Sequence, residues 1–92
     1  MAARWNDGSE VDATLRATLS DVLGLPPAQV AGFGESSELF GALPEFDSMA
    51  VAGLLSELEE RLGILIEDDE FDAEILETYG NLLSFLRGKT LR

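Results

Sequence analysis

The sequence of 92 residues contains neither cysteine nor histidine. Without cysteine, the fold cannot depend on disulfides or on thiolate metal sites. Without histidine, the chain lacks the commonest general base and the commonest metal ligand. No stretch is apolar enough to span a membrane, and the amino-terminal residues lack the apolar run of a signal peptide. These absences predict a cytoplasmic protein with no metal site and little capacity for catalysis of its own.

Basic residues are also scarce, because six Lys and Arg stand against 18 Asp and Glu and give a net charge of −12. Nucleic acids and anionic membranes are disfavoured as partners, since both are bound through clustered positive charge. Proteins with basic surface patches are the natural complement. Hydrophobic residues still make up 46% of the chain, which suits one small folded domain. We expect a monomer.

Apolar residues recur at helical spacing in three segments, which predict an all-α fold. These segments are Val11 to Leu23, about Ser48 to Leu62, and Tyr79 to Leu86. The acidic stretch 67–77 fits a shorter helix before the last of them. We expect a small bundle of three main helices plus one short helix. The helical domain is predicted at 9–88, between tails at 1–8 and 89–92.

A long loop at residues 25–46 joins helices 1 and 2. It contains three glycines and three prolines, which disfavour regular structure. Apolar side chains such as Phe33, Leu39 and Phe46 predict that this loop is pinned onto the helices. One helical turn is expected near Ser37–Phe40.

The tripeptide Asp47-Ser48-Met49 follows this loop and opens the second main helix. Ser48 is either a plain helix cap or the point where a prosthetic group is attached. Asp47 could cap the helix equally well. A serine hydrolase is disfavoured, because the chain has no histidine and the residues around Ser48 do not form a Gly-x-Ser-x-Gly turn.

The acidic run that begins at Asp68 does not match a calcium-binding loop. Counting from Asp68, Ala73 stands where the loop requires glycine, and Tyr79 stands where it requires glutamate. The run is interpreted as a solvated acidic face.

The order of these features resembles the acyl carrier proteins over about residues 10–87. The resemblance is carried by Leu43-Pro44-Glu45-Phe46-Asp47-Ser48-Met49 and by Leu58-Glu59-Glu60-Arg61-Leu62-Gly63-Ile64. It implies that Ser48, flanked by Asp47 and Met49, carries 4′-phosphopantetheine, which a phosphopantetheinyl transferase attaches from coenzyme A. The protein would then be a carrier rather than an enzyme. It would present an acyl thioester to acyl-activating or acyl-transferring enzymes with basic docking patches.

The resemblance leaves the pathway and the cargo open. Fatty-acid, polyketide-like and exopolysaccharide-associated pathways all use such carriers. An aminoacyl or peptidyl carrier and an unmodified acidic helical adaptor are the alternatives. Many fatty-acid carriers have acidic residues one turn into the second helix, where this chain has Ala50 and Gly53. A dedicated pathway partner is therefore expected.

Two further sets of residues are candidates for contact with partners or cargo, the first from its charge and the second from the resemblance. The first is a set of acids that serve either docking or solubility: Glu57, Glu59, Glu60 and Glu67. The second is a set of candidates to line an acyl pocket: Leu54, Leu55, Leu58, Ile64 and Tyr79.

Overall fold

The computed structural model describes residues 8–90, which form four α-helices and two turns of 3-10 helix. The α-helices are α1 (Gly8–Leu23), α2 (Pro27–Ala31), α3 (Ser48–Leu62) and α4 (Tyr79–Thr90), and the 3-10 turns are Asp68–Glu70 and Ala73–Leu76. The predicted all-α class with three main helices is confirmed. Residues 1–7 and 91–92, which belong to the two predicted tails, lie outside the described residues.

The core lies where α1 contacts α3 and α4. Leucines three or four residues apart share one face of each helix, so each helix turns an apolar stripe inward. The fully buried leucines of these stripes are Leu15, Leu19, Leu54, Leu58, Leu82 and Leu86. A β-carbon at Gly53 would lie 3.7 Å from Cγ1 of Val22, an ordinary van der Waals contact, so the packing of α3 against α1 does not require glycine there.

The short elements differ from the prediction. Pro27 belongs to the loop in which regular structure was disfavoured, but it occupies the start of α2, where a missing N–H costs no hydrogen bond. The predicted turn near Ser37–Phe40 is wrong, because Glu38 forms an isolated antiparallel bridge with Thr78 instead. The acidic stretch 67–77 contains the two 3-10 turns rather than a short α-helix.

α4 extends to Thr90, so the first two residues of the predicted C-terminal tail are helical. The hydroxyl of Thr90 donates to the carbonyl of Leu86 at 3.0 Å. The ammonium group of Lys89 pairs with the carboxylate of Glu70 at 2.6 Å. Gly88 therefore weakens the helix without ending it, because contacts beyond it hold the last turn.

The loop before α3 is tied to the start of α4 by main-chain hydrogen bonds. Leu39 N–H donates to the carbonyl of Glu77 at 2.9 Å, and Tyr79 N–H donates to the carbonyl of Ser37 at 2.8 Å. Gly80 N–H donates to the carbonyl of Glu35 at 3.0 Å. The last two bonds satisfy amides at the start of α4, which the helix itself cannot satisfy, and all three fix the course of the loop.

Arg16 holds the first part of the same loop. Its guanidinium donates to the carbonyls of Val30 at 2.6 Å and Phe33 at 2.9 Å. It also pairs with Asp12 at 3.1 Å and lies 4.6 Å from the ring centre of Tyr79. The Tyr79 hydroxyl donates to the Asp12 carboxylate, so α1, the loop and α4 meet in one network.

The protonation states of Asp12 and Tyr79 are stabilised by this network. Burial by itself raises the pKa of Asp12, but the hydrogen bonds from Tyr79 and Arg16 and the charges of Arg16 and Arg87 outweigh it and lower the pKa. Burial, and then the bond to the Asp12 carboxylate, raises the pKa of Tyr79 well above its ordinary value. Tyr79 therefore stays a donor and Asp12 an acceptor at neutral pH.

We predict that Gly80→Ala destabilises the fold by about 1–3 kcal/mol. The added β-carbon would lie 2.7 Å from the carbonyl oxygen of Glu35, and main chain cannot move aside as a flexible side chain can. Gly88→Ala in the same helix is the control. Its β-carbon meets nothing within 4 Å, so the better helix former should be neutral or stabilising. Urea denaturation of both variants measures the difference, and equal stability of the two would contradict the clash.

Candidate functional site

Asp47, and not Ser48, caps α3. The backbone of Asp47 is extended, with φ −101° and ψ −176°, and its carboxylate accepts a hydrogen bond from Ala50 N–H at 2.9 Å. Its carbonyl accepts a hydrogen bond from Val51 N–H at 2.9 Å. Ser48 is the first residue of the helix. The fold therefore does not require the Ser48 hydroxyl as a cap.

Ser48 is open to solvent. It is exposed, and among residues 8–90 no group is hydrogen-bonded to its hydroxyl. Its neighbour Met49 is 85% exposed. The first amides of a helix have no partner within it, and the helix dipole is positive at this end. The arrangement thus suits an anionic group joined through the Ser48 hydroxyl.

The loop fixes where this hydroxyl lies. Phe46, two residues before Ser48, is 3% exposed and meets the ring of Phe40 edge-on, with centroids 5.7 Å apart. Phe46 N–H donates to the carbonyl of Leu43 at 3.0 Å, and Leu43 N–H donates to that of Leu39 at 2.9 Å. Leu39 in turn is bonded to the segment before α4, so the anchorage runs from α4 to the start of α3.

Two of the four acids predicted for docking have internal roles. Glu57 pairs with Arg61 at 3.0 Å, and Arg61 reaches across to Asp21 of α1 at 2.8 Å. The carboxylate of Glu59 accepts a hydrogen bond from Ile66 N–H at 2.7 Å, which holds the segment that follows α3. Glu60 and Glu67 are exposed. The sequence showed these positions as acidic but carried no signal that separated the engaged acids from the exposed ones.

The structure does not gather the five acyl-pocket candidates around one cleft. Leu54 and Leu58 are fully buried in the core, and Tyr79 is 1% exposed with its hydroxyl bonded to Asp12. Leu55 is half-buried. Ile64 lines a cleft of about 360 Å³ after α3, together with Gly63, Leu65, Glu67 and Lys89. Of the five, it alone borders that cleft.

Comparisons with known proteins agree with this geometry. The family model described as a phosphopantetheine attachment site matches residues 13–86. The fold is similar to the solution NMR structure of a holo acyl carrier protein from Nitrosomonas europaea. The TM-score is 0.76 and the identity 38%, over 86% of this chain and 93% of that chain. The chain belongs to the acyl carrier protein family. No curated protein matches it.

The family assignment confirms that the protein is a carrier and not a catalyst, and that its cofactor is covalently attached phosphopantetheine. Carriers of this family work with a phosphopantetheinyl transferase and with acyl-handling enzymes. An unmodified adaptor is not consistent with this assignment. No helix within residues 8–90 has the length and apolarity needed to cross a membrane.

We predict that Asp47→Ala costs the carrier about 1 kcal/mol in the free energy of unfolding, because it removes the acceptor for Ala50 N–H. Asp47→Ser keeps an acceptor and should restore most of this loss. Ser48→Ala should leave stability unchanged, since the hydroxyl caps nothing. Thermal unfolding of the three apo variants measures the differences. A loss in Ser48→Ala as large as that in Asp47→Ala would show that Ser48 shares the capping role.

Proposed function

We propose that Ser48 is the attachment point, and that the carrier holds an acyl group there and presents it to partner enzymes. One observation carries the proposal: Asp47 takes over the capping of α3 and leaves the neighbouring hydroxyl exposed. When attached, phosphopantetheine supplies the terminal thiol that holds the acyl group as a thioester. The chain itself has no cysteine to provide one.

The residues around Ser48 suit this role in three ways. The start of α3 offers unpaired amides and the positive end of the dipole to a phosphate joined to Ser48. The Asp47 carboxylate accepts a hydrogen bond from Ala50 N–H, so the cap of α3 does not use the Ser48 hydroxyl. The buried Phe46 fixes the preceding loop, so the hydroxyl is presented from a firm position.

The mass of the intact protein tests the attachment point. After incubation with coenzyme A, magnesium and a broad-range phosphopantetheinyl transferase, the wild-type chain should gain one phosphopantetheine. Ser48→Ala should gain none. Ser56→Ala is the matched control, because Ser56 is an exposed serine of the same helix and its loss should leave the modification complete. If Ser48→Ala also gained phosphopantetheine, the attachment point would be another residue.

An aminoacyl or peptidyl carrier is the second candidate for the cargo. Asp47 before the serine favours an acyl load, because histidine is frequent at that position in peptidyl carriers. The mass of the protein purified from its own host reports the cargo that remains on the phosphopantetheine.

The pathway is proposed as fatty-acid, polyketide-like or exopolysaccharide-associated. Ala50 and Gly53, in place of acids, support a dedicated partner.

We propose that basic patches of partner enzymes dock chiefly on Glu60 and Glu67. Both side chains are exposed, whereas the carboxylates of Glu57 and Glu59 already bind groups within the carrier. With a net charge of −12, the protein attracts a basic surface over a distance of about one Debye length, roughly 10 Å at 0.1 M salt.

Glu60→Lys should slow association with an acyl-handling partner several-fold at low salt, because it replaces an exposed attractive charge. Glu10→Lys changes the net charge equally but lies on α1, and its effect should be smaller. Stopped-flow association at two salt concentrations measures both. Equal slowing by the two variants would mean that total charge, and not this position, governs docking.

A further inference from the structure

Arg16 of α1 binds the loop that precedes α3 at two main-chain carbonyls. Its guanidinium donates to the carbonyl of Val30 at 2.6 Å and to that of Phe33 at 2.9 Å, while its Nε donates to the Asp12 carboxylate at 3.1 Å. The same group lies 4.6 Å from the ring centre of Tyr79. A planar guanidinium can hold several acceptors at once, whereas the ammonium group of lysine acts as a point charge. One rigid group therefore joins the loop to α1 and α4.

Tyr79 extends this attachment further along the loop. Its ring centroid lies 6.0 Å from that of Phe33, and its N–H donates to the carbonyl of Ser37 at 2.8 Å. Beyond Ser37, main-chain bonds that begin at Leu39 and end at Phe46 lead to the start of α3. We call residues 30–46 the docked loop. Arg16 binds one end of it, and the other end leads into the candidate attachment point.

Without Arg16, the docked loop would lose donors at its contact with α1. Val30 is 1% exposed and Phe33 is half-buried, and the bonds from Arg16 to their carbonyls are themselves partly buried. A partly buried carbonyl that loses a charged donor is destabilised until water reaches it. Water reaches these carbonyls most readily when the loop moves away from α1. Loss of the guanidinium therefore shifts the equilibrium toward an undocked loop.

We infer that Arg16 is a positioning residue for the modification of Ser48, because it sets the fraction of the carrier in which the loop is docked and the hydroxyl is correctly placed. This role rests on the proposed attachment at Ser48. In the transfer, the serine oxygen bonds to a phosphorus of coenzyme A, the phosphate–phosphate bond breaks and the adenosine portion leaves, while the hydroxyl proton passes to a base of the transferase. A displacement of the attacking oxygen by about 1 Å lowers the rate of such a step strongly.

A change in the docked fraction has a characteristic effect on transfer kinetics. The transferase acts on the docked carrier, so its KM for the carrier rises in inverse proportion to that fraction. At saturation every bound carrier is docked, and kcat stays unchanged. A rise in KM without a fall in kcat therefore distinguishes a positioning role from a direct effect on the chemical step.

Transfer kinetics with coenzyme A, magnesium and a broad-range transferase test the role of Arg16. Arg16→Met removes every donor but keeps an unbranched apolar side chain, and it should raise KM for the apo carrier about three- to tenfold with kcat within about twofold of wild type. Arg16→Lys keeps the charge but not the planar fork, so its KM should lie between these values. If Arg16→Met does not fold, the smaller rise in Arg16→Lys carries the test. An unchanged KM, or a loss confined to kcat, would overturn the inference.

Arg61→Met is the matched control. Arg61 also links two helices, since it bonds to Glu57 of α3 at 3.0 Å and to Asp21 of α1 at 2.8 Å, but its bonds do not reach the docked loop. Each substitution removes one positive charge and several charge-assisted bonds. KM should stay within about twofold of wild type in Arg61→Met. An equal rise in KM in both variants would mean that stability or net charge governs transfer, which contradicts a role through the loop.

Amide hydrogen exchange of the apo protein measures the docked loop directly. Arg16→Met should lower the protection of the Leu39 and Phe46 amides at least about tenfold more than that of the Leu58 amide, whereas Arg61→Met should not. A raised KM with unchanged protection of the loop would mean that Arg16 itself contacts the transferase, and the positioning role would be wrong. Exchange needs no cofactor, so it tests the loop even if Ser48→Ala is modified and the proposed attachment point fails.

Discussion

The connection between α1 and α3 is held in place by hydrogen bonds, in a chain that has no cysteine to crosslink it. Arg16 binds the carbonyls of Val30 and Phe33, and Leu39 pairs with the main chain of Glu77. A loop of this length loses much conformational entropy when it is ordered. Bonds to rigid helices at several points along the loop offset that loss. The position of Ser48 depends on this anchorage, because the loop leads directly into α3.

Two adjacent residues divide two tasks at the start of α3. Asp47 satisfies an amide that the helix leaves open, and Ser48 keeps an exposed hydroxyl. If one serine did both, a group joined to its oxygen would disturb the cap and weaken the helix that presents it. With the proposed attachment at Ser48, this division lets the carrier change its covalent state without disturbing the cap of α3. A chain without histidine or cysteine suits a carrier, since the reactive groups come from the cofactor and from partner enzymes.

The acidic residues contribute equally to the net charge, but their contacts in the structure differ. Asp12, Glu57 and Glu59 bind groups inside the carrier, whereas Glu60 and Glu67 face solvent. A carboxylate that already accepts a hydrogen bond within the carrier has given up part of its hydration for that bond. It is therefore less available to bind a partner enzyme.

The sequence by itself determined the three main helices, because apolar spacing reports directly which face of a helix is buried. It also determined the candidate site, since the resemblance in Asp47-Ser48-Met49 depends on local residues alone. Only the tertiary structure decided that Glu38 pairs with Thr78, that α4 runs to Thr90 and that Tyr79 binds Asp12. Tyr79 and Asp12 are 67 residues apart, and Arg61 and Asp21 are 40 residues apart. Such pairs arise when helices pack, and no local pattern of residues specifies them.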